Sequence, residues 1–280
     1  MIRLDASEPA LASLIETALA EDIGPGDITA AACIAPSAAL QAVMSAREPM
    51  VVAGLPVAAA VFARLAPTAQ ITRLVPEAAH VPAGTQLMRL AGPARGLLTA
   101  ERTALNFVQH LSGIATLTRS YVAAMAGTGA TLLDTRKTIP GLRTLAKYAA
   151  ACGGAKNHRM GLFDAVMIKD NHIAAAGSIA RAVAAVRDAG HTKIQVECDT
   201  LAQVEEALRA GATSLLLDNM SLEMLHAAVG MVHRQIPTEA SGGVRLETVR
   251  AIALTGVTTI SVGRLTQSAA AIDIGLDTFG

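Results

Sequence analysis

The chain has 280 residues, 52% of them hydrophobic and 16% charged, enough for two ordinary domains or one large α/β barrel and too apolar for a disordered chain. Its formal net charge is zero and its aromatics are 2% with no Trp, so it offers neither a global field for polyanions nor a stacking platform for nucleic-acid bases. Cys33, Cys152 and Cys198 are odd in number, scattered and without CxxC spacing, which argues against a disulfide framework or zinc site and fits a reducing, cytoplasmic setting.

In chain order, the N-terminus MIRLDASEPA carries Asp5, Glu8 and Pro9 where a signal peptide needs an apolar core. No uninterrupted apolar run reaches the ~20 residues of a membrane span, so no membrane partner is expected. Ser7 is the expected N-cap of a helix with the apolar stripe Leu11, Leu14, Ile15, Ala18 and Leu19, ending near Glu21-Asp22. The stretch EDIGPGDIT then reads as a capped turn, with Asp27 and Thr29 as turn formers. Residues 40–52 are strand-like, interrupted by Arg47-Glu48-Pro49. Gly54 and Pro56 introduce a short Ala-rich helix that ends near Pro67. Strand candidates follow at 70–75 and 86–90, with Pro82-Ala83-Gly84 as the turn between them. Such a mixture, with little βα alternation, predicts a separate α+β domain. Residues 94–126 read as two helices meeting at Gly113. The first of them carries Arg102, by composition alone an exposed residue beside an acid.

From residue 130 the organisation changes. Six apolar runs recur at 130–133, 165–168, 193–196, 214–217, 237–240 and 258–262, most followed by a helical pattern. This alternation predicts a parallel sheet with right-handed crossovers, as an incomplete barrel or an open doubly wound sheet. The tail, 265–280, is expected to pack back on the first domain. The resulting division is 1–110 as an N-terminal α+β domain joined by 266–280, with 111–265 as the α/β domain.

The residues that end each run carry the chemistry. They are Asp134 with Thr135, Arg136 and Lys137, then Lys169, Glu197, Asp218, Ser241-Gly242-Gly243 and Val262-Gly263-Arg264. Parallel strands gather these ends on one face, where barrel folds place their sites. His158 and Arg159, in the loop before the second run, join the same cluster. Arg136, Lys137, Arg159 and Lys169 suit carboxylates or phosphates. Glu197 and Asp218 can hold a magnesium ion with its waters or the hydroxyls of a ribose. Two late glycine turns leave backbone N–H groups free as a phosphate cradle. His80, His110, His191, His226 and His233 lack metal-ligand spacing. His172, three residues past Lys169, reads as an orienter, and Cys198 as core.

The segments DTRKTIPGLRTLAKYAAACGGAKNHR and VMIKDNHI resemble the quinolinate phosphoribosyltransferase family over more than forty consecutive residues, and the likeness extends more weakly over nearly the whole chain. The resemblance implies the incomplete barrel of about six strands with an N-terminal α+β open-sandwich domain. It implies transfer of phosphoribosyl from phosphoribosyl pyrophosphate to quinolinate with decarboxylation, giving nicotinate mononucleotide, carbon dioxide and pyrophosphate, in de novo NAD biosynthesis. Arg102 from a partner subunit, Thr135, Arg136, His158, Arg159 and Lys169 match the family's dicarboxylate site, which implies a homodimer or higher. Lys137 matches a lysine at the reacting centre, and Glu197 and Asp218 the acids near the ribose and the Mg2+ that accompanies phosphoribosyl pyrophosphate. Ser241, Gly242, Gly243, Val262, Gly263 and Arg264 match the 5′-phosphate site. Gln195 stands where the family commonly has Glu, Ala155-Lys156 replaces a Gly-rich pair, and Arg264 and Gln267 depart from the usual phosphate loop. Alternatives are a phosphoribosyltransferase of the kind associated with molybdenum transport, acting on another base, and a Schiff-base lyase using Lys169.

Overall fold

A computed structural model of the chain describes residues 8–279. The expected Ser7 cap lies outside the described residues. The chain divides into two compact units, one of residues 1–119, 139–154 and 268–280 and the other of 120–138 and 155–267. The division expected from sequence differs from this mainly in two places, besides a tail that begins at 268 and not at 266. The first unit extends past residue 110 to 119, and it also takes in 139–154.

The elements run α1 (Pro9–Ile23), α2 (Ile28–Cys33), β1 (Ala39–Ala46), β2 (Met50–Val51), α3 (Leu55–Leu65), β3 (Gln70–Arg73), β4 (His80–Val81), β5 (Gln86–Pro93) and α4 (Ala94–Ala124). After these come β6 (Thr131–Leu133), α5 (Arg143–Cys152), β7 (Val166–Ile168), α6 (Asp170–Ala176), α7 (Ile179–Asp188), β8 (Ile194–Cys198) and α8 (Leu201–Ala210). The last are β9 (Ser214–Asp218), α9 (Leu222–Val232), β10 (Thr238–Ser241), α10 (Leu246–Leu254), β11 (Thr259–Ser261), α11 (Arg264–Gln267) and β12 (Ile274–Phe279).

In the first unit, a four-stranded antiparallel sheet has the order β12-β1-β5-β3. The C-terminal tail thus joins this unit as a strand, pairing Ala46 with Ile274 through Gln41 with Phe279. Asp27 caps α2, accepting from the Ala30 N–H at 2.8 Å and from the Thr99 hydroxyl at 2.9 Å, so the acidic turn is structural. Residues 94–126 do not form two helices: α4 runs unbroken through Gly113. Glycine serves close approach there, because a Cβ at Gly113 would collide with the Ala270 carbonyl oxygen of the docked tail. Helix α5 is tied to the same unit by Glu77. Its carboxylate accepts from the Gly54 and Leu55 N–H groups at the start of α3, at 2.7 and 3.0 Å, and from the Tyr148 hydroxyl at 2.6 Å. The core here is built from Met44, Phe62, Leu87, Met88, Leu90, Leu97 and Leu105, all fully buried or nearly so.

The second unit holds six parallel strands in the order β6-β11-β10-β9-β8-β7. β6 and β7 are the two ends of the sheet, and Lys156 bridges to Leu133 on the open side of β6. This is the incomplete barrel. Alternation along each strand decides what faces the interior. On β8, Val196 and Cys198 are fully buried, while Gln195 and Glu197 share the other face. On β10, Glu239 alternates with Ala240 in the same way. Burial pushes the Cys198 thiol up to about 12, which makes it an inert core residue. Among the described residues no helix is long and apolar enough to cross a membrane.

Candidate active site

The C-terminal strand ends of the second unit surround a cavity of about 770 Å³. It is lined by Thr135, Arg136, Lys137, His158, Arg159 and Lys169 together with Asp218, Ser241, Gly242, Gly243, Val262, Gly263 and Arg264. Nearly every strand-end residue read from the sequence therefore meets here. Glu197 does not line the cavity. It is 8% exposed and forms an ion pair with the Lys169 ammonium, its neighbour across β7 and β8. Arg102 is exposed on α4 in the first unit.

Local bonds explain why each side chain stands where it does. The buried Asp134 carboxylate, at the end of β6, accepts from Asn157 Nδ2 at 2.6 Å and from the His158 N–H at 2.8 Å. It thereby pins the loop that carries His158 and Arg159. Asp164 closes the same loop by accepting from the Met160 and Gly161 N–H groups at 2.6 and 2.9 Å. Arg159 Nη1 donates to the Ala165 carbonyl at 3.1 Å. Burial, with the like charge of Arg136 beside it, pulls the Arg159 guanidinium below its ordinary value against the opposing pull of Asp164. A bound anion relieves that repulsion.

The Lys137 N–H donates to Thr135 Oγ1 at 3.0 Å, and its carbonyl accepts from the Thr266 hydroxyl at 2.7 Å. Gly263 leaves room for the lysine stem: a Cβ there would stand 2.8 Å from Lys137 Cδ. Lys169 is the N-cap of α6, and its N–H donates to His172 Nδ1 at 2.9 Å, so His172 orients the start of that helix. In the loop after β10, Gly242 and Gly243 adopt φ of +86° and +61°. A Cβ on Gly242 would collide with Asn219 Oδ1 and approach the Asn219 backbone nitrogen at 2.9 Å. The glycine lets two loops touch, and its positive φ is one that L side chains rarely adopt. Burial, helped by Asp199, raises the Asp218 carboxyl above its usual range, while Lys169, Lys137 and Asn219 pull it down.

Two interior residues carry more of the site than their place in the sequence announces. Glu239 lines the cavity floor at 4% exposure. Its Oε2 lies 3.2 Å from His158 Nε2 and accepts from Gln195 Nε2 at 2.9 Å. Burial pushes this carboxyl up, but bonds from His158, Ser261 and Gln195 outweigh it and leave it below the usual range. The available signal was a charged residue inside an apolar run, in phase with Ser241 at the strand end. Leu162, Arg245 and Gln267 also line the cavity.

For magnesium, the donor set supplies Asp218 facing the cavity, while Glu197 is engaged by Lys169. Among the described residues no three His, Cys, Asp or Glu side chains cluster as a protein-only metal centre. Asp218 faces the cavity and would be the protein's contact for such an ion.

An open parallel barrel that sets guanidinium and ammonium groups against a carboxylate and two glycine turns defines an enzyme that handles anionic small molecules. Residues 27–112 match the N-terminal domain, and residues 114–277 the C-terminal domain, of quinolinate phosphoribosyl transferase. A Mycobacterium leprae protein named nicotinate-nucleotide pyrophosphorylase (carboxylating) is 44% identical over 94% of this chain and 95% of its own length. A Nicotiana tabacum quinolinate phosphoribosyltransferase (decarboxylating) is 42% identical over 95% of this chain and 81% of its own. The solved nicotinate-nucleotide pyrophosphorylase of Francisella tularensis superposes with a TM-score of 0.93 at 42% identity, covering 99% of this chain and 98% of that one. The chain belongs to the quinolinate phosphoribosyltransferase family.

Proposed function

We propose that this chain transfers the phosphoribosyl group of phosphoribosyl pyrophosphate to the ring nitrogen of quinolinate and expels the 2-carboxylate, giving nicotinate mononucleotide, carbon dioxide and pyrophosphate. The observation that carries the reading is one cavity lined by Arg136, Lys137, Arg159 and Lys169 together with Asp218 and two glycine turns, in a chain of this family. Arg136, Arg159 and Lys169, with Thr135, receive the two carboxylates, and Arg suits them because its fork binds bidentately. His158 stands among them. Lys137 serves the reacting centre. Gly242, Gly243, Gly263 and Arg264 take the 5′-phosphate, with Ser241 and Val262 framing the turns.

As the bond from C1 to pyrophosphate breaks, positive charge builds on the ribose, and Asp218 stabilises it. The quinolinate nitrogen forms the new bond to C1 and becomes a pyridinium. When the 2-carboxylate leaves as carbon dioxide, its electron pair stays on the adjacent ring carbon, stabilised by that positive nitrogen until a proton arrives. Glu197 acts through Lys169, holding the ammonium for the carboxylates. Asp218 would contact an Mg2+ ion brought in with phosphoribosyl pyrophosphate, and such an ion would supply charge neutralisation for the departing pyrophosphate. The protein's own residues align two anions that repel each other.

We further read the active form as a homodimer or higher in which the partner subunit supplies Arg102, and its setting as cytoplasmic. Thiols left unpaired, two of them buried, support the latter. The test is product formation with Mg2+ and phosphoribosyl pyrophosphate, offering quinolinate and nicotinate separately. Product from quinolinate alone is expected, and equal turnover of nicotinate would remove the need for a second carboxylate contact.

A further inference from the structure

His158 is read above as a neighbour of a bound dicarboxylate, yet both of its ring nitrogens have protein partners. Nδ1 accepts from the Arg159 N–H at 2.7 Å. A nitrogen that accepts carries no proton, so the ring is the neutral form with its hydrogen on Nε2. That hydrogen points at Glu239 Oε2, 3.2 Å away. The imidazole is thus a strut between the barrel floor and the backbone of Arg159. The backbone N–H of His158 is held by Asp134, which fixes the loop from which the imidazole extends.

The floor end is well anchored. Glu239 is the interior residue of a short central strand, flanked by β9 and β11. Gln195 donates to the same oxygen that faces His158. An amide at position 195 is a donor that leaves the acceptor role to Glu239, whereas a carboxylate there would compete for a proton. Ser261 supplies a further hydroxyl beside Glu239.

We propose that Glu239 is a positioning residue: by accepting from Nε2 it holds the His158 ring in the orientation that presents Nδ1 to the Arg159 N–H, and so keeps both the tautomer and the backbone from which Arg159 reaches the anion. Gln195 orients the accepting oxygen. On this basis His158 serves binding through Arg159 and not as a donor to substrate. The inference rests on the reading of these cavity residues as the dicarboxylate site.

The test has two arms. The 15N spectrum of the imidazoles, with His158 assigned by substitution, reports the tautomer without any need for activity. The wild type is expected to show Nε2 protonated and Nδ1 bare, and Glu239→Ala to show mixed tautomers. In steady-state assays, Glu239→Ala is expected to raise KM for quinolinate by about tenfold or more, since small displacements of a positioned group are costly. KM for phosphoribosyl pyrophosphate should change little, a split that general loosening of the fold does not produce. Glu239→Gln keeps an accepting oxygen, and its NH2 can face Ser261. It should recover the tautomer and most of the KM lost in Glu239→Ala. A wild-type ring protonated on Nδ1, or a folded Glu239→Gln with mixed tautomers, overturns the proposal even where Glu239→Ala does not fold. A wild type with the expected tautomer but no turnover of quinolinate instead counts against the reaction assigned above.

Discussion

Asp218 is placed between opposing pulls. Burial and Asp199 raise its carboxyl, while Lys169 and Lys137 lower it, and burial prevails. Because the raised group stays protonated to higher pH, the ionised form that stabilises ribose charge grows in as pH rises. The kcat/KM profile should therefore fall on its acid side at a pH above the ordinary carboxylate range. Asp218→Asn should cost about a hundredfold in kcat or more and abolish that limb, and a limb that persists in the variant assigns the titration to another group. Most of the cavity's residues were legible because they terminate parallel strands, and the strand ends of such a sheet share one face. Glu239 and Gln195 were not, because they lie inside apolar runs, where only the phase of alternation tells interior from exterior. Glu197 shows the converse: its phase was right, but Lys169 stands over it.

At the scale of elements, the same limits recur. The six barrel strands were readable to within a residue or two, since most pair an apolar run with a following helical pattern. The two-residue strands β2 and β4 and the short helix α2 carry too few positions for periodicity to speak. Gly113 misled because a glycine that ends a helix and one that admits a neighbouring backbone look alike in sequence. Its role is testable by an inversion of helix propensity. Alanine is the better helix former by ~1 kcal/mol, yet Gly113→Ala places a Cβ against the Ala270 carbonyl. The variant should melt several degrees below the wild type in thermal unfolding. A higher melting temperature would show that the tail moves aside at little cost.

For the whole molecule, the central expectation is that one chain does not hold a complete site. Arg102 is exposed on α4 and belongs to the first unit, while the cavity belongs to the second. Arg102→Ala and Lys137→Ala should each be nearly inactive alone. Unfolded, mixed in equal amounts and refolded, they should regain about a quarter of wild-type activity, because half the dimers are mixed and each has one intact site of two. Recovery at the level of either variant alone would place Arg102 outside the partner's site. The expectation of a dimer comes only from the resemblance. An exposed arginine on a helix has, by its own physics, no reason to be more than a solvated charge.

The most direct measurement is the stoichiometry of a single reaction: carbon dioxide released from quinolinate labelled at the 2-carboxylate, against pyrophosphate and nicotinate mononucleotide formed. Equal amounts of all three, with no label retained in the nucleotide, are expected. A nucleotide that keeps the label, or pyrophosphate released without carbon dioxide, contradicts a decarboxylating phosphoribosyl transfer in this cavity.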